Sequence, residues 1–268
     1  TVTGLHLRFA RRYLFATNSH FVNNIISCVI SFGVGVPVVA MVVLLSVFNG
    51  FEDVIKGLYS DFDPDLAVTL VEGKTFTPDE IDTTKILSVE GVEALSTVLE
   101  DNALFEYRGA QFIGILRGAD DGYASVIPVG NMITSGGFEL HMDGATSAVV
   151  GDGLALSLGI YSVFNDPLKV YVPRRGTFSP LVPVDSYRTG EMAIAGQFAL
   201  DAETDGKYVI APIEFAQKLF DYPGRISSVM IKIAPGTDAD KVRARVAEAV
   251  GEKFSVRTRY QQKSAFYD

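Results

Sequence analysis

The chain has 268 residues, 48% of them apolar, and a net charge of −9 from 23 basic and 32 acidic side chains. That acidic balance does not suit a nucleic-acid partner. A single cysteine, Cys28, excludes an internal disulfide.

The N-terminal stretch "GLHLRFARRYLFAT" mixes apolar Leu5, Phe9, Tyr13 and Phe15 with Arg8, Arg11 and Arg12. This predicts an amphipathic segment over residues 1–24 lying in the cytoplasmic membrane interface. Next come 24 uncharged residues, "IISCVISFGVGVPVVAMVVLLSVF", from Ile25 to Phe48. As a helix this run is about 36 Å long, enough to cross a hydrocarbon core of about 30 Å. It is too long for the apolar part of a cleaved signal, about 7–15 residues, and no A-x-A-like site follows it. Gly33, Gly35 and Pro37 are tolerated in a membrane helix and point to close packing on other helices.

The flanks orient the span. Three arginines precede it, residues 1–51 contain no acid, and Glu52, Asp53 and Asp61 follow. The positive-inside rule then places the N-terminus in the cytoplasm and the rest outside. With the three arginines set aside, 23 basic residues become 20 against 32 acids, a balance of −12 for an acidic exterior domain. Apolar periodicity continues through Phe51, Val54, Ile55 and Leu58. One helix is therefore expected over residues 25–60, running out of the membrane as a rigid rod.

In the exterior domain "LAVTL" alternates as a strand. "TPDEIDTTKILSV" starts with Thr77, Pro78 and Glu80, a capping box opening a helix. "VEALSTVLEDNALFEYRG" and "AQFIGILRGA" predict two strands hinged near Gly109. Residues 120–144 read as loop-rich. "SAVVG" predicts a buried strand, and "DGLALSLGI" a short helix capped by Asp152 and stopped by Gly159. "PLKVYVP" and "EMAIAGQFA" predict strands on either side of a long loop. "KYVIA", "PIEFAQKLF", "ISSVMIKI", "DADKVRARVAEAV" and "KFSVRTR" then alternate strand and helix, with Val242, Val246 and Val250 on one helical stripe. The fold class expected is α+β: one N-terminal membrane helix, then a split βαβ module (61–106 and 201–268) with a β-rich insertion (107–200).

Catalytic motifs are missing. No G-x-x-x-x-G-K-[ST] is present, so no P-loop binds ATP here. "VVGDGLALSLG" has Leu156 where a dinucleotide loop needs its third glycine. No G-x-S-x-G occurs. His6, His20 and His141 are scattered, and "DFDPD" lacks full calcium-ligand spacing. The expectation is a chain without catalytic residues, metal or cofactor.

Two features stand out. The first is the loop "PRRGTFSPLVPVDSYRTG" from Pro173 to Gly190, longer than the roughly 12–15 residues usual for unstructured connections. Its Arg174, Arg175 and Phe178 form a basic and aromatic surface suited to a protein partner. The second is the outer end of the apolar helix, "LLSVFNGFEDVIKGLYSDF".

"RFARRYL", "NIIS", "LLSVFNGFE" and "DPDL" occur in the order found at the start of a known family. "VVGDGLALSLGI", "FSPLVPVDSYRTGEMAIAGQFAL", "YVIAPIEFAQKLF" and "ISSVMIKI" continue the likeness over nearly the whole chain. The sequence resembles permeases of the lipoprotein-releasing ABC transporter (the Lol system), related to macrolide-exporter and cell-division permeases. The resemblance implies a bacterial inner-membrane subunit with a periplasmic domain, in which a split porter module carries an inserted sabre module. It implies a cytoplasmic ATPase dimer, where ATP and Mg²⁺ are bound, and a second permease subunit. It further implies lipoprotein cargo and a periplasmic carrier that receives it. By the same likeness Arg174, Arg175, Phe178, Ser179 and Pro180 belong to a hook that holds the carrier. Val43, Leu44, Val47, Phe48 and Phe51 are the residues implied to touch acyl chains. Three further spans are implied beyond Asp268. The alternative is a mechanotransmission permease of the exporter or cell-division type, acting on a periplasmic partner without moving lipoprotein.

Overall fold

The structure is a computed structural model that describes residues 9, 21–57, 62–142, 144–161, 166–174 and 187–264. Side chains at 21–24, 27, 28, 31, 49–57, 202, 203, 263 and 264 fall outside that description. The chain divides into two compact units, Thr1–Tyr59 and Ser60–Asp268.

The first unit contains one long helix, α1 (Phe21–Gly57), 37 residues with Pro37 inside it. The helix continues past Phe48, as the apolar periodicity predicts. Its described side chains are exposed. They are described without a break only over residues 32–48. Among the described residues no helix is long and apolar enough to cross a membrane. The expected span is seen as a helix. The interfacial segment expected over residues 1–24 lies outside the described residues, apart from exposed Phe9 and the first turn of α1.

The second unit mixes strands and short helices, as expected for α+β. β1 (Leu66–Leu70) is followed by a 3-10 turn (Pro78–Glu80) and α2 (Thr83–Leu87). A long hairpin follows, β2 (Val92–Tyr107) and β3 (Ala110–Ala119). Then come α3 (Tyr123–Val126), β4 (Ile133–Gly136), β5 (His141–Met142), β6 (Ala145–Gly151) and α4 (Asp152–Leu158). β7 (Leu168–Pro173), β8 (Tyr187–Phe198), α5 (Ala202–Asp205), β9 (Tyr208–Pro212) and α6 (Ile213–Phe220) continue the chain. β10 (Ser228–Ile233), α7 (Ala239–Val250), β11 (Phe254–Thr258) and α8 (Arg259–Ser264) complete it.

Three local expectations are refined. The Glu80 carboxylate accepts from both the Thr77 N–H (2.8 Å) and the Thr77 hydroxyl (3.0 Å), but this box opens only the 3-10 turn. The helix proper starts after Asp82, whose carboxylate caps the Lys85 N–H at 3.0 Å. At α4 the N-cap is Gly151, and Asp152 is the first helical residue. Its carboxylate accepts from the Thr134 hydroxyl at 2.9 Å. Gly159 ends α4 at φ 72°, in the left-handed region a glycine enters without strain. The loop-rich stretch 120–144 holds the short elements α3, β4 and β5.

The hairpin β2–β3 turns on Arg108 (φ 50°) and Gly109 (φ 86°), so Tyr107 faces Ala110 and Glu100 faces Arg117. One edge of β2 serves two neighbours. Residues 92–98 pair with β10, and residues 104–106 pair with β7. From β10 an open sheet runs outward through β1 to β11. From the tip of β2 a ring closes instead: β2 to β3, β9, β6, β8, β7 and back to β2. Closure removes most of the unpaired edges that an open sheet would expose. Each of the six strands gives the main core a buried side chain: Phe105, Leu116, Val209, Val150, Ile194 and Val170. Helices α2 and α7 cover one face of the open sheet through Ile86, Val242 and Val246. The opposite face meets a smaller cluster around Phe62, Tyr123, Phe198 and Met230.

Candidate partner-binding site

The long loop springs from a rigid base. β7 and β8 pair from Leu168↔Met192 to Pro173↔Tyr187, and the loop joins the ends of that ladder. Arg174 follows β7 and is exposed. A groove of about 710 Å³ opens there, lined by Arg174, Tyr187, Arg188, Glu191, Phe215 and Lys218. Arg188 is fixed in it, with Nη2 2.6 Å from Asp221 Oδ2 and Nη1 donating to the Lys218 carbonyl at 3.3 Å. Asp221 caps α6 with φ 60°, which turns its carboxylate back toward β8. Gly190 lets the Phe215 ring lie on β8, since a Cβ there would come within 2.6 Å of Cζ. The groove thus offers basic side chains around an aromatic floor. Such a surface suits an acidic partner with apolar contacts.

Of the loop residues expected to touch a partner, Arg174 lies on this groove. Arg175, Phe178, Ser179 and Pro180 lie outside the described residues. On α1, Val43, Leu44, Val47 and Phe48 are all more than half exposed. Spacings of three and four place them on one side of the helix. The Phe51 side chain lies outside the described residues, though its backbone is helical.

A further cluster was not expected from the sequence. Arg117, only 3% exposed, pairs through Nε with Glu100 and donates from Nη1 to the Tyr123 hydroxyl at 2.9 Å. Its guanidinium lies 4.1 Å from the Phe62 ring centre and 4.7 Å from that of Tyr208. Burial opposes its charge, but Glu100 and the two tyrosines more than offset this and keep it protonated. Burial also raises the Tyr123 hydroxyl and pushes Tyr208 up to about 12. The hairpin register carried a signal for the pair: a two-residue turn at 108–109 sets Glu100 opposite Arg117. Among the described residues, no group of three or more His, Cys, Asp or Glu could hold a metal ion.

The profile of the MacB-like periplasmic core domain matches residues 27–249. The chain belongs to that family. The MacB-like chain is also 25% identical over 242 residues to the lipoprotein-releasing system transmembrane protein LolC of Neisseria meningitidis serogroup B. That match covers 87% of this chain and 55% of the relative, so the chain spans about half the relative's length. In fold it is similar to the extracellular domain of the noncanonic ABC-type transporter YknZ from Gram-positive bacteria. There the TM-score is 0.50 and the identity 12%, covering 72% of this chain and 99% of that one. It is also similar to the periplasmic region of MacB from Actinobacillus actinomycetemcomitans. There the TM-score is 0.50 and the identity 9%, covering 80% of this chain and 96% of that one. The LolC likeness extends over most of the residues that the family profile matches.

Proposed function

We propose that this chain is part of a permease subunit of an ATP-driven lipoprotein release system in a bacterial inner membrane. The observation that carries this reading is the LolC likeness over 87% of the chain. In this reading α1 is the first span, with its N-terminus cytoplasmic and residues 60–268 in the periplasm. The uncharged run from Ile25 to Phe48 and the three preceding arginines support it. Residues 61–106 and 201–268 form the porter module and 107–200 the sabre insertion.

The subunit itself is non-catalytic. A cytoplasmic ATPase dimer binds ATP and Mg²⁺, and a second permease completes the pair. Energy input is required because each buried CH₂ contributes about 0.8 kcal/mol, so two or three acyl chains hold a lipoprotein by on the order of 20–30 kcal/mol. Val43, Leu44, Val47, Phe48 and Phe51 shelter those chains as they leave the bilayer. The loop that contains Arg175, Phe178, Ser179 and Pro180 holds the periplasmic carrier, and the basic groove at its base receives the carrier's acidic surface.

The test uses the full-length permease with its ATPase in nanodiscs. Carrier capture is expected to fall at least about tenfold in Arg174→Glu and Phe178→Ala and to weaken with salt. Undiminished capture by both variants would overturn the hook assignment. Normal lipoprotein localisation in cells depleted of the permease would overturn the release function.

A further inference from the structure

On the sheet face opposite α2 and α7 lies a recess of about 210 Å³ that the transport reading does not use. Its floor is made of short side chains. β1 contributes Ala67 and Thr69, and Thr69 stands opposite Ser228 of β10. Longer side chains surround them. Arg257 of β11 and Met230 of β10 flank Ala67 on its two sides, and Tyr208 of β9 adds a further wall.

The recess collects donors without partners. Among the described residues the Arg257 guanidinium and the hydroxyls of Thr69, Ser228 and Tyr208 make no hydrogen bond or ion pair, yet all four line it. A fifth donor is buried. Arg117, 3% exposed, also lines the recess. Its Nε serves Glu100 and its Nη1 serves Tyr123 and the Phe62 carbonyl, while its Nη2 makes no hydrogen bond among the described residues. The Tyr208 ring is held edge-on against Phe62, 5.0 Å between centres. Burial pushes its hydroxyl up to about 12, so it stays a donor at neutral pH. Donors from five strands that converge on one space suit an oxyanion.

Charge selects the kind of oxyanion. Glu100 is answered by Arg117, and Asp63 on the rim has an interaction of its own. Arg257 alone keeps an unanswered charge, which one negative charge balances. A phosphate, largely dianionic at neutral pH, would bring a second negative charge beside Glu100 and Asp63. The planar guanidinium fork matches a carboxylate. Pro64, Ala67 and Met230 supply apolar contacts for a short carbon chain. The volume lies below the roughly 300–1,000 Å³ typical of drug-sized ligands, so the ligand is compact.

We propose that this recess binds a compact monocarboxylate with a short carbon chain. The carboxylate meets the Arg257 guanidinium and the hydroxyls of Ser228 and Tyr208, and the carbon chain lies on Ala67 and Met230. Every lining residue falls between Asp63 and Gln262, so binding here is independent of the transport reading.

The full chain in detergent is titrated calorimetrically with propionate, with propionamide and with inorganic phosphate. Propionamide keeps the shape of propionate and lacks its charge. Saturable binding is expected for propionate, at least roughly tenfold tighter than for the amide. Arg257→Ala, checked for native circular dichroism, is expected to weaken it by about tenfold, and Tyr208→Phe, which keeps the ring, by about threefold. Equal affinity for propionamide would overturn recognition of the charge. Tighter binding of phosphate would overturn the carboxylate class. Affinity unchanged in both variants would overturn the site, and absence of saturable propionate binding would overturn the proposal as a whole.

Discussion

Arg259 reaches back 194 positions to Asp65: its Nη2 lies 3.1 Å from Oδ1, and its N–H donates to the Asp65 carbonyl at 3.1 Å. The second carboxylate oxygen accepts from the Ile233 N–H at 2.9 Å. One aspartate thus ties the start of β1, the end of β10 and the start of α8 together. Asp65→Asn is expected to lower stability by about 1–3 kcal/mol. Arg259→Ala should cost less, and the double variant should fall short of the sum by at least about 0.5 kcal/mol. Urea unfolding of the three variants measures this, and strict additivity would dissolve the link.

The pair of buried Arg117 and partly exposed Glu100 makes a second case. Glu100→Gln leaves a buried guanidinium without its carboxylate, with an expected loss of about 3 kcal/mol. The double replacement Glu100→Leu with Arg117→Met removes both charges and should restore more than half of that loss. Denaturant midpoints distinguish the two. A double variant worse than the single would show that the charges are net stabilising.

Glu80 gives a dependence on pH. Its side-chain contact with Lys253, and then its bonds to Thr77, lower its pKa to about 2 from 4.5. A carboxylate depressed in the folded state adds stability above its unfolded value and loses it as pH falls toward the folded value. The wild-type chain should therefore lose stability between pH 4.5 and about 2 more steeply than Glu80→Gln. Thermal melts across that window are the measurement, and parallel curves would contradict the assignment.

Gly118 sets how closely α6 approaches β3. A Cβ there would collide with that of Ala216 and lie 3.1 Å from Ile213 Cα, both on the helix. Neither atom is the end of a flexible side chain, so the helix must move. Gly118→Ala is expected to cost about 2 kcal/mol, or a fall in Tm of roughly 4–8 °C. Gly130→Ala, with nothing within 4 Å of the new Cβ, serves as the neutral comparison.

Much of the local structure was legible. Alternation in "LAVTL" and "ISSVMIKI", the turn at Gly109 and the stop at Gly159 all correspond to elements seen. Those signals act over a few residues, where propensity and side-chain period dominate. The start of α2 was misplaced because two capping residues, Thr77 and Asp82, compete within one short stretch, and Asp82 wins the helix. The groove at the loop base was half legible. Arg174 stood out as part of a basic loop, but Phe215 and Lys218 come from a helix far along the chain.

The sequence by itself determined the apolar helix, its charged flanks, the order of strands and helices and the resemblance to a permease family. Each is local or depends only on order. The tertiary structure decided which strands pair, and so decided that β2 is shared between an open sheet and a closed ring. It also decided that Arg117 is buried against the Phe62 and Tyr208 rings and that Arg257, Tyr208 and Ser228 line one recess. The physical reason is that side-chain alternation gives each strand two faces but does not name its neighbour. Only packing of the whole chain brings residues so far apart in sequence to one place.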